Sequence, residues 1–204
     1  IVGSPPVVTA VDIAALFYTS GTTGRPKGVP LSHGNLVANI DAILKERMAG
    51  AGDSILTPLP LHHVYPLIVG VLTPLAAGAA VVFPAGIGGP QIVEALRVSE
   101  ANMLIGVPRL YAAMLDAIHA RIRQRGRRVM FATTLLLAIL GHLPSAARGA
   151  IGRVLFPGLR SALGPRLWLM ACGGAHLDPH IWRTLEGFGW TVRTGYGLTE
   201  TSPL

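Results

Sequence analysis

Short apolar segments alternate with helical segments along this chain, and that alternation restricts the folds open to it. Apolar runs typical of buried strands occupy residues 13–18, 54–57, 79–83, 103–107, 166–171 and 191–193. Apolar residues at helical spacing fill most of the intervals, at 33–48, 63–76, 90–98, 108–123, 129–140 and 178–188. Strands separated by helices favour an α/β fold with a largely parallel sheet flanked by helices on both faces.

The composition is that of one folded unit. Half of the 204 residues are hydrophobic and 13% are charged, which suits one sizeable core and argues against a disordered chain. The single cysteine, Cys172, excludes a disulfide framework and a cysteine-rich metal site. We expect it to be a small buried residue.

Positive charge is concentrated after residue 117. The net charge is +7, and residues 117–177 contain no aspartate or glutamate. The same span holds nine arginines: Arg121, Arg123, Arg125, Arg127, Arg128, Arg148, Arg153, Arg160 and Arg166. A basic stretch attracts an anionic partner, which could be nucleic acid, phospholipid or a nucleotide-bearing substrate.

A glycine-rich segment at 18–28 directly follows the first predicted strand. It combines four Ser and Thr hydroxyls, three glycines and Lys27. Glycines let the backbone approach an anion, while hydroxyls and a lysine add donors and charge, so the segment predicts a polyphosphate-binding loop. A flexible surface turn has a similar composition and is the alternative. A Walker-type loop is excluded, because the residues five positions after Gly21 and Gly24 are Pro26 and Val29.

A second segment, 195–201, reads Gly-Tyr-Gly-Leu-Thr-Glu-Thr. Alone it would be only a turn. Together the two segments resemble the core motifs of the adenylate-forming superfamily, most closely those of bacterial long-chain fatty-acid–CoA ligases. The chain is therefore expected to be part of the large N-terminal domain of such an enzyme.

The resemblance implies a role for each residue of the two motifs. The first would hold the β- and γ-phosphates of ATP through Thr19, Ser20, Gly21, Thr22, Thr23, Gly24 and Lys27. In the second, Tyr196 would stack on adenine beside Gly197, and Thr199 would bind the α-phosphate. Glu200 would hold Mg²⁺. Lys27, Thr199 and Glu200 are thus expected to be catalytic.

Three shorter segments extend the resemblance. Gly173, Gly174 and Ala175 resemble the turn that contacts adenine and the acyl group. The segment 58–65 resembles a motif whose histidine lies near the acyl carboxylate. This assigns His63, as a fourth expected catalytic residue, to positioning that carboxylate. A metal site at His62 and His63 is not expected, since neighbouring side chains on a strand point to opposite faces. Residues 107–111 also resemble a segment of long-chain acyl-CoA synthetases.

The reaction that the resemblance implies has two steps. ATP would activate a carboxylic acid to an acyl-adenylate, and the thiol of CoA would then form a thioester. The resemblance to long-chain fatty-acid–CoA ligases implies that the acid is a fatty acid. ATP and Mg²⁺ are the expected cofactors, with CoA as co-substrate. Transfer to a carrier protein, luciferase-like oxygenation and a non-catalytic nucleotide-binding or membrane-associated module remain alternatives.

The domain organisation is expected to be incomplete. In this superfamily a ribose-binding aspartate, a hinge and a C-terminal domain with a catalytic lysine follow the second motif. Residues 1–204 are therefore expected to be a partial AMP-binding domain that cannot complete adenylation by itself.

The segment 121–140 is basic and then apolar. Its apolar part, about 12 residues, is too short to span a bilayer. It is either a core helix beside a solvated basic loop or a peripheral membrane contact in which arginines meet anionic headgroups. No aromatic residue interleaves the arginines, which argues against nucleic acid. The first residues lack the pattern of a signal peptide, so a cytoplasmic location with contact at the inner face of the membrane is expected.

Overall fold

The computed structural model describes residues 7–20 and 25–201. The strands are β1 Ile13–Ser20, β2 Pro26–Ser32, β3 Ser54–Leu56, β4 Ala80–Val82, β5 Met103–Gly106, β6 Leu169–Cys172 and β7 Thr191–Thr194. The helices are α1 His33–Lys45, α2 Val64–Leu67, α3 Thr73–Ala76, α4 Gly89–Val98, α5 Pro108–Gln124, α6 Arg127–Gly141, α7 Ser145–Leu155, α8 Pro157–Leu163 and α9 Pro179–Gly187. A π-helical segment, Ile68–Leu72, joins α2 to α3, and Thr199–Thr201 forms a 3₁₀ turn.

Five strands form one parallel sheet in the order β4-β3-β5-β6-β7. Alternate residues of its strands face opposite sides. Leu104, Met170 and Val192 pack against α4, α5 and α9, while Ile105 and Leu169 pack against the helix that starts at Val64. Helices α6, α7 and α8 pack outside α4, α5 and α9. The expected α/β fold, with a parallel sheet between helices, is confirmed.

The segment 63–76 is helical despite its two prolines, as expected, but it contains a π-helical turn. Pro74 has no N–H to donate to the carbonyl of Gly70, and the N–H of Thr73 donates to Ile68, five residues back. The carbonyl of Gly70 instead accepts a hydrogen bond from the Thr57 hydroxyl at 2.9 Å. The Gly70 carbonyl, which lacks a helical donor because of Pro74, thus receives its hydrogen bond from the residue that follows β3.

The strand predicted at 13–18 is not a buried member of the parallel sheet, and that prediction is wrong. It is β1, which pairs with β2 in a separate two-stranded antiparallel sheet. One face of this hairpin is buried at Phe17 and Leu31 against α1 and the 64–76 helix. The other face is exposed, with Tyr18 68% accessible. Sequence patterning missed β2 because prolines flank its short apolar centre.

The predicted helix starts and ends lie within one residue of those observed, except at the end of α1 and the start of α6. Ser32 caps α1 in a reciprocal capping box with Asn35, and Asp178 caps α9 by accepting the N–H of His180 at 2.6 Å. Helix α1 ends at Lys45, earlier than expected. The predicted buried strand at 79–83 is the shorter β4 at one end of the sheet, where Ala80 is exposed.

Helices α7 and α8 were not foreseen. A buried ion pair explains how the arginine-rich segment folds there: Arg148 donates to Glu186 of α9 at 3.0 Å and to the carbonyl of Leu143 at 2.9 Å. The hydroxyl of Ser145 donates to the other carboxylate oxygen of Glu186 at 2.7 Å. Part of the positive charge of this segment is therefore structural.

Two glycines of α7 allow a direct test of how closely α7 packs on α9. A Cβ on Gly152 would lie 2.3 Å from the carbonyl oxygen of Gly187, whereas one on Gly149 meets its nearest atom at 4.0 Å. We expect Gly152→Ala to lower the free energy of unfolding by about 1–3 kcal/mol, because backbone atoms cannot move aside. Gly149→Ala should raise it by up to about 1 kcal/mol through helix propensity. Urea unfolding measures both, and equal effects of the two changes would contradict the packing described.

Candidate functional site

A cavity of about 960 Å³ opens where the parallel strands end. Its walls come from the residues that follow β5, β6 and β7, from the hairpin, from α1 and from the start of α2. Of the predicted site residues, those that line it are Thr19, His63, Gly173, Gly174, Gly197, Thr199 and Glu200. Ligands of open α/β sheets bind at this edge, so the cavity is the candidate site.

The hairpin carries the first motif to the cavity. Thr19 lies opposite Lys27 in the antiparallel register, so their side chains share one face. That face is the one that is buried at Phe17 and Leu31 further along the hairpin. Lys27 is exposed and lies outside the cavity lining, on the strand beside it. Ser20 closes β1, and the predicted phosphate contacts Gly21, Thr22, Thr23 and Gly24 lie outside the described residues.

The second motif forms a compact turn at the same place. The N–H of Gly195 donates to the carbonyl of Cys172 at 2.9 Å, which continues the β6–β7 pairing. The hydroxyl of Thr201 accepts the N–H of Leu198 at 3.0 Å and closes the turn. This turn packs against β2, which also bears Lys27. Two motifs that are far apart in sequence thus meet in the structure.

Tyr196 and Ala175 lie outside the cavity lining. Tyr196 is 87% exposed. Ala175 is exposed in the loop after Gly174. Both flank residues that do line the cavity, Gly197 and Gly174.

The glycines that follow β6 are required by sterics. A Cβ on Gly173 would lie 2.6 Å from the ring of Tyr65, and Gly174 has a φ of +80°, which strains any other residue. The N–H of Gly173 donates to the carbonyl of Gly106 at 3.1 Å, so this backbone follows the sheet edge. The small residues predicted here therefore leave room for Tyr65 as well as for a ligand.

Tyr65 was not singled out from the sequence, although it follows the His62-His63 pair by two positions. It lines the cavity, and its hydroxyl donates to the carbonyl of Ala171 at 3.0 Å. Burial raises the pKa of this hydroxyl well above its ordinary value, so it stays protonated and remains a donor. Glu46 and Arg193 also line the cavity and were missed, because nothing in their local sequence distinguishes them from surface charges.

The expectation that the two histidines lie on a strand is wrong. His62 and His63 lie in a turn before α2, and not on a strand, so their rings do not point to opposite faces. The ring centroids are 4.3 Å apart. Within residues 7–20 and 25–201, no three His, Cys, Asp or Glu side chains are grouped as metal ligands. His63 lines the cavity.

The acidic residues of the cavity fit a phosphate-bound Mg²⁺. Glu46 and Glu200 both line it, as do the hydroxyl-bearing residues Thr19 and Thr199. Mg²⁺ prefers oxygen ligands and is commonly held by one or two carboxylates together with substrate phosphates. A site of this kind needs no cluster of three protein ligands.

Comparison with known proteins defines the family. Residues 3–204 match the family model of the AMP-binding enzymes. The chain belongs to this family. It is 35% identical over 209 residues to the peroxisomal long chain acyl-CoA synthetase 7 of Arabidopsis thaliana, an alignment that covers 98% of this chain and 28% of the synthetase. The chain thus spans less than a third of that relative.

Solved structures of AMP-binding enzymes have the same fold. The N-terminal domain of FACL13 from Mycobacterium tuberculosis matches with a TM-score of 0.68 at 21% identity, covering 98% of this chain and 40% of that one. A malonyl-CoA ligase with methylmalonyl-CoA and AMP bound matches with a TM-score of 0.66 at 26% identity, covering 94% and 34%. These matches confirm the predicted fold class.

Cys172 offers a test of the cavity wall. Its side chain is 2% exposed, and burial raises the pKa of the thiol to about 11. The thiol should stay protonated through the neutral range, and at about pH 8 we expect alkylation on the order of 100-fold slower than in the urea-unfolded chain. The rate should rise about tenfold per pH unit up to the pKa. Equal rates in the native and unfolded chain would contradict the burial.

Proposed function

We propose that this AMP-binding domain serves a fatty-acid–CoA ligase, which activates a carboxylic acid with ATP and passes the acyl group to CoA. The observation that carries the proposal is the meeting of the two motifs: Thr19 and the 199–201 turn border one cavity at the carboxyl edge of the sheet. An ordinary surface turn of similar composition is not expected to lie across a cavity from a second glycine- and hydroxyl-rich turn.

In the first step a carboxylate oxygen attacks the α-phosphorus of ATP, and the bond to pyrophosphate breaks. Thr19, Ser20, Gly21, Thr22, Thr23, Gly24 and Lys27 are proposed to hold the departing pyrophosphate. Thr199 would donate to the α-phosphate, and Tyr196 with Gly197, Gly173, Gly174 and Ala175 would contact the adenosine. These groups act by positioning and by stabilising the charge that develops.

Mg²⁺, when bound, would offset the negative charge of the phosphates. Glu200 is the proposed ligand, and Glu46, which lines the same cavity, is proposed as a second carboxylate contact. Without a cation, two carboxylates beside a triphosphate would repel it.

The acid is proposed to lie between His63 and the apolar part of the wall. Met48, Tyr65 and Val69 supply apolar surface there, and His63 is placed to contact the carboxylate. The name of the Arabidopsis relative supports a long-chain acid as the substrate.

In the second step a thiol sulfur attacks the acyl carbon, and the bond to AMP breaks. A second cavity, of about 880 Å³, adjoins the first and is proposed as the route by which CoA reaches the acyl-adenylate. It shares Leu59, Pro60 and Val107 with the first cavity, and Arg109 and Arg121 line it. Positive charge at that wall suits the phosphates of CoA. A carrier-protein thiol is the other candidate acceptor.

The proposal extends to the rest of the protein. A C-terminal domain with a catalytic lysine would complete the active site, and residues 1–204 alone would adenylate slowly. We also propose a cytoplasmic location with peripheral membrane contact through 121–140, since long-chain acids partition into membranes.

Pyrophosphate exchange in a longer protein that contains this chain tests the proposal. Lys27→Ala and Glu200→Gln should each lower acid-dependent exchange on the order of 100-fold, because each removes a group that stabilises transferring phosphate. Lys45→Ala and Glu100→Gln remove the same charges from exposed positions on α1 and after α4, outside both cavities, and should leave exchange unchanged. Unchanged exchange in both site variants would contradict catalysis and favour a non-catalytic nucleotide-binding module.

Thioester formation identifies the acceptor. The acyl-adenylate is incubated with CoA or with a carrier protein, and the thioester formed is measured. Release of acyl-CoA supports the ligase, whereas transfer to the carrier alone would contradict CoA as the acceptor and leave adenylation intact.

A further inference from the structure

The arginines between residues 117 and 177 fall into two groups. Three have partners within the described chain: Arg148 binds Glu186, Arg166 lies 3.8 Å from Glu100 at the surface, and Arg160 binds the carbonyl of Gly189 at 2.6 Å beneath the ring of Trp190. The other six are exposed, and none forms an ion pair with a described carboxylate: Arg121, Arg123, Arg125, Arg127, Arg128 and Arg153. This surface charge has no partner within the described part of the chain.

The outward face of α6 is apolar. Phe131, Leu135 and Ile139, spaced four residues apart, are 71%, 53% and 57% exposed. They form one stripe along the helix, which we call the α6 ridge. Arg127 and Arg128 precede it by one turn and lie at its N-terminal end. Apolar residues thus run continuously along a face where a surface helix normally carries polar ones.

The inner face of α6 packs on the hydrophobic core. Thr133 and Leu140 are buried, and Met130 and Leu137 pack on the core formed with α5 and α9. The ridge is therefore a second apolar surface of the same helix, and no described element covers it. A helix that is apolar on both sides needs a contact on both sides.

The charges around the ridge indicate what that contact is. Arg127 and Arg128 occupy the first turn of α6, which has no acidic residue, so two cations lie at the positive end of the helix dipole. That placement is unfavourable in water and becomes favourable beside anions. A protein partner would have to combine an apolar groove with a negative rim, whereas an anionic bilayer offers both over any area.

Nearby residues extend the same pattern. Val154 and Leu155 at the end of α7 are 78% and 48% exposed, beside the exposed Arg153. A small cleft of about 260 Å³ joins the ends of α5 and α7 to α6, and it is lined by Arg121 and Arg125 together with apolar residues. Its size and lining suit a phosphate headgroup.

We infer that the α6 ridge and its exposed arginines form a docking face for anionic phospholipid membranes. The ridge enters the boundary between headgroups and acyl chains, and the arginines bind the lipid phosphates. Contact is peripheral: within the described ranges, no helix is long and apolar enough to cross a bilayer. The docking face deepens the membrane contact through 121–140 proposed above, and its use for collecting fatty acid rests on the proposed ligase activity.

Vesicle flotation tests the docking face, using this chain and a longer protein that contains it. Both should float with mixed phosphatidylcholine–phosphatidylglycerol vesicles and not with phosphatidylcholine alone, and salt should release them. Arg127→Gln with Arg128→Gln should weaken partitioning about 30-fold, at roughly fivefold per arginine. The triple change Phe131→Ser, Leu135→Ser and Ile139→Ser should weaken it at least about tenfold.

Matched controls remove the same groups elsewhere. Leu75, Phe83 and Val98 are 58%, 54% and 75% exposed, and changing all three to serine should leave flotation unchanged. Lys45→Gln with Arg97→Gln removes two positive charges from other helices. Equal losses in the ridge and control variants would overturn the inference. Lys27→Ala should float normally, so a failed ligase proposal and a failed docking face are distinguishable.

A cysteine probe separates a membrane from other occupants. Because Cys172 is buried, Leu135→Cys adds one reactive thiol, which is labelled with an environment-sensitive dye. Emission should shift to the blue when mixed vesicles are added, and Leu75→Cys should not respond. If the dye's emission maximum is already shifted to the blue in the longer protein without vesicles, another part of that protein covers the ridge. That result, or arginine-dependent binding to single-stranded RNA without vesicle binding, would overturn the inference.

Discussion

The alignment of three strand ends determines both the core and the candidate site. Gly106 pairs with Cys172, and Cys172 pairs with Thr194, so β5, β6 and β7 finish level with one another. The next residues, Val107, Gly173 and Gly195, consequently leave the sheet side by side. A shift of one residue would turn each strand's buried set to the opposite face. Tyr65 and Tyr111 secure this edge from opposite faces, because both hydroxyls donate to the carbonyl of Ala171, at 3.0 and 2.7 Å.

The hairpin completes the site from outside that sheet. Its buried face, at Phe17 and Leu31, is held by α1 and the 64–76 helix, and its far end reaches the cavity at Thr19. The helix in turn lies close to the sheet at Gly70, where a Cβ would be 2.5 Å from Ile105. The position of the first motif thus depends on two layers of packing, while the second motif extends directly from β7.

Residues of one type serve different purposes in this chain according to burial. Arg148 is buried and joins α7 to α9 through Glu186, where loss of either partner would leave an unpaired charge in the core. Arg127 and Arg128 are exposed at the start of a helix whose outer face is apolar. The first kind stabilises the fold, and the second leaves positive charge for a partner.

Local patterns were enough to predict the α/β class, most helices, the caps at Ser32 and Asp178, and the two motifs, because periodicity and capping are properties of neighbouring residues. The same patterns placed β1 in the wrong sheet, missed β2, α7 and α8, and did not identify Tyr65, Glu46 or Arg193 as site residues. Those features, and which arginines are buried, follow from how the folded chain packs. The reason is physical: strand pairing, burial and cavity walls arise from contacts between distant segments, and the spacing of neighbouring residues does not encode them.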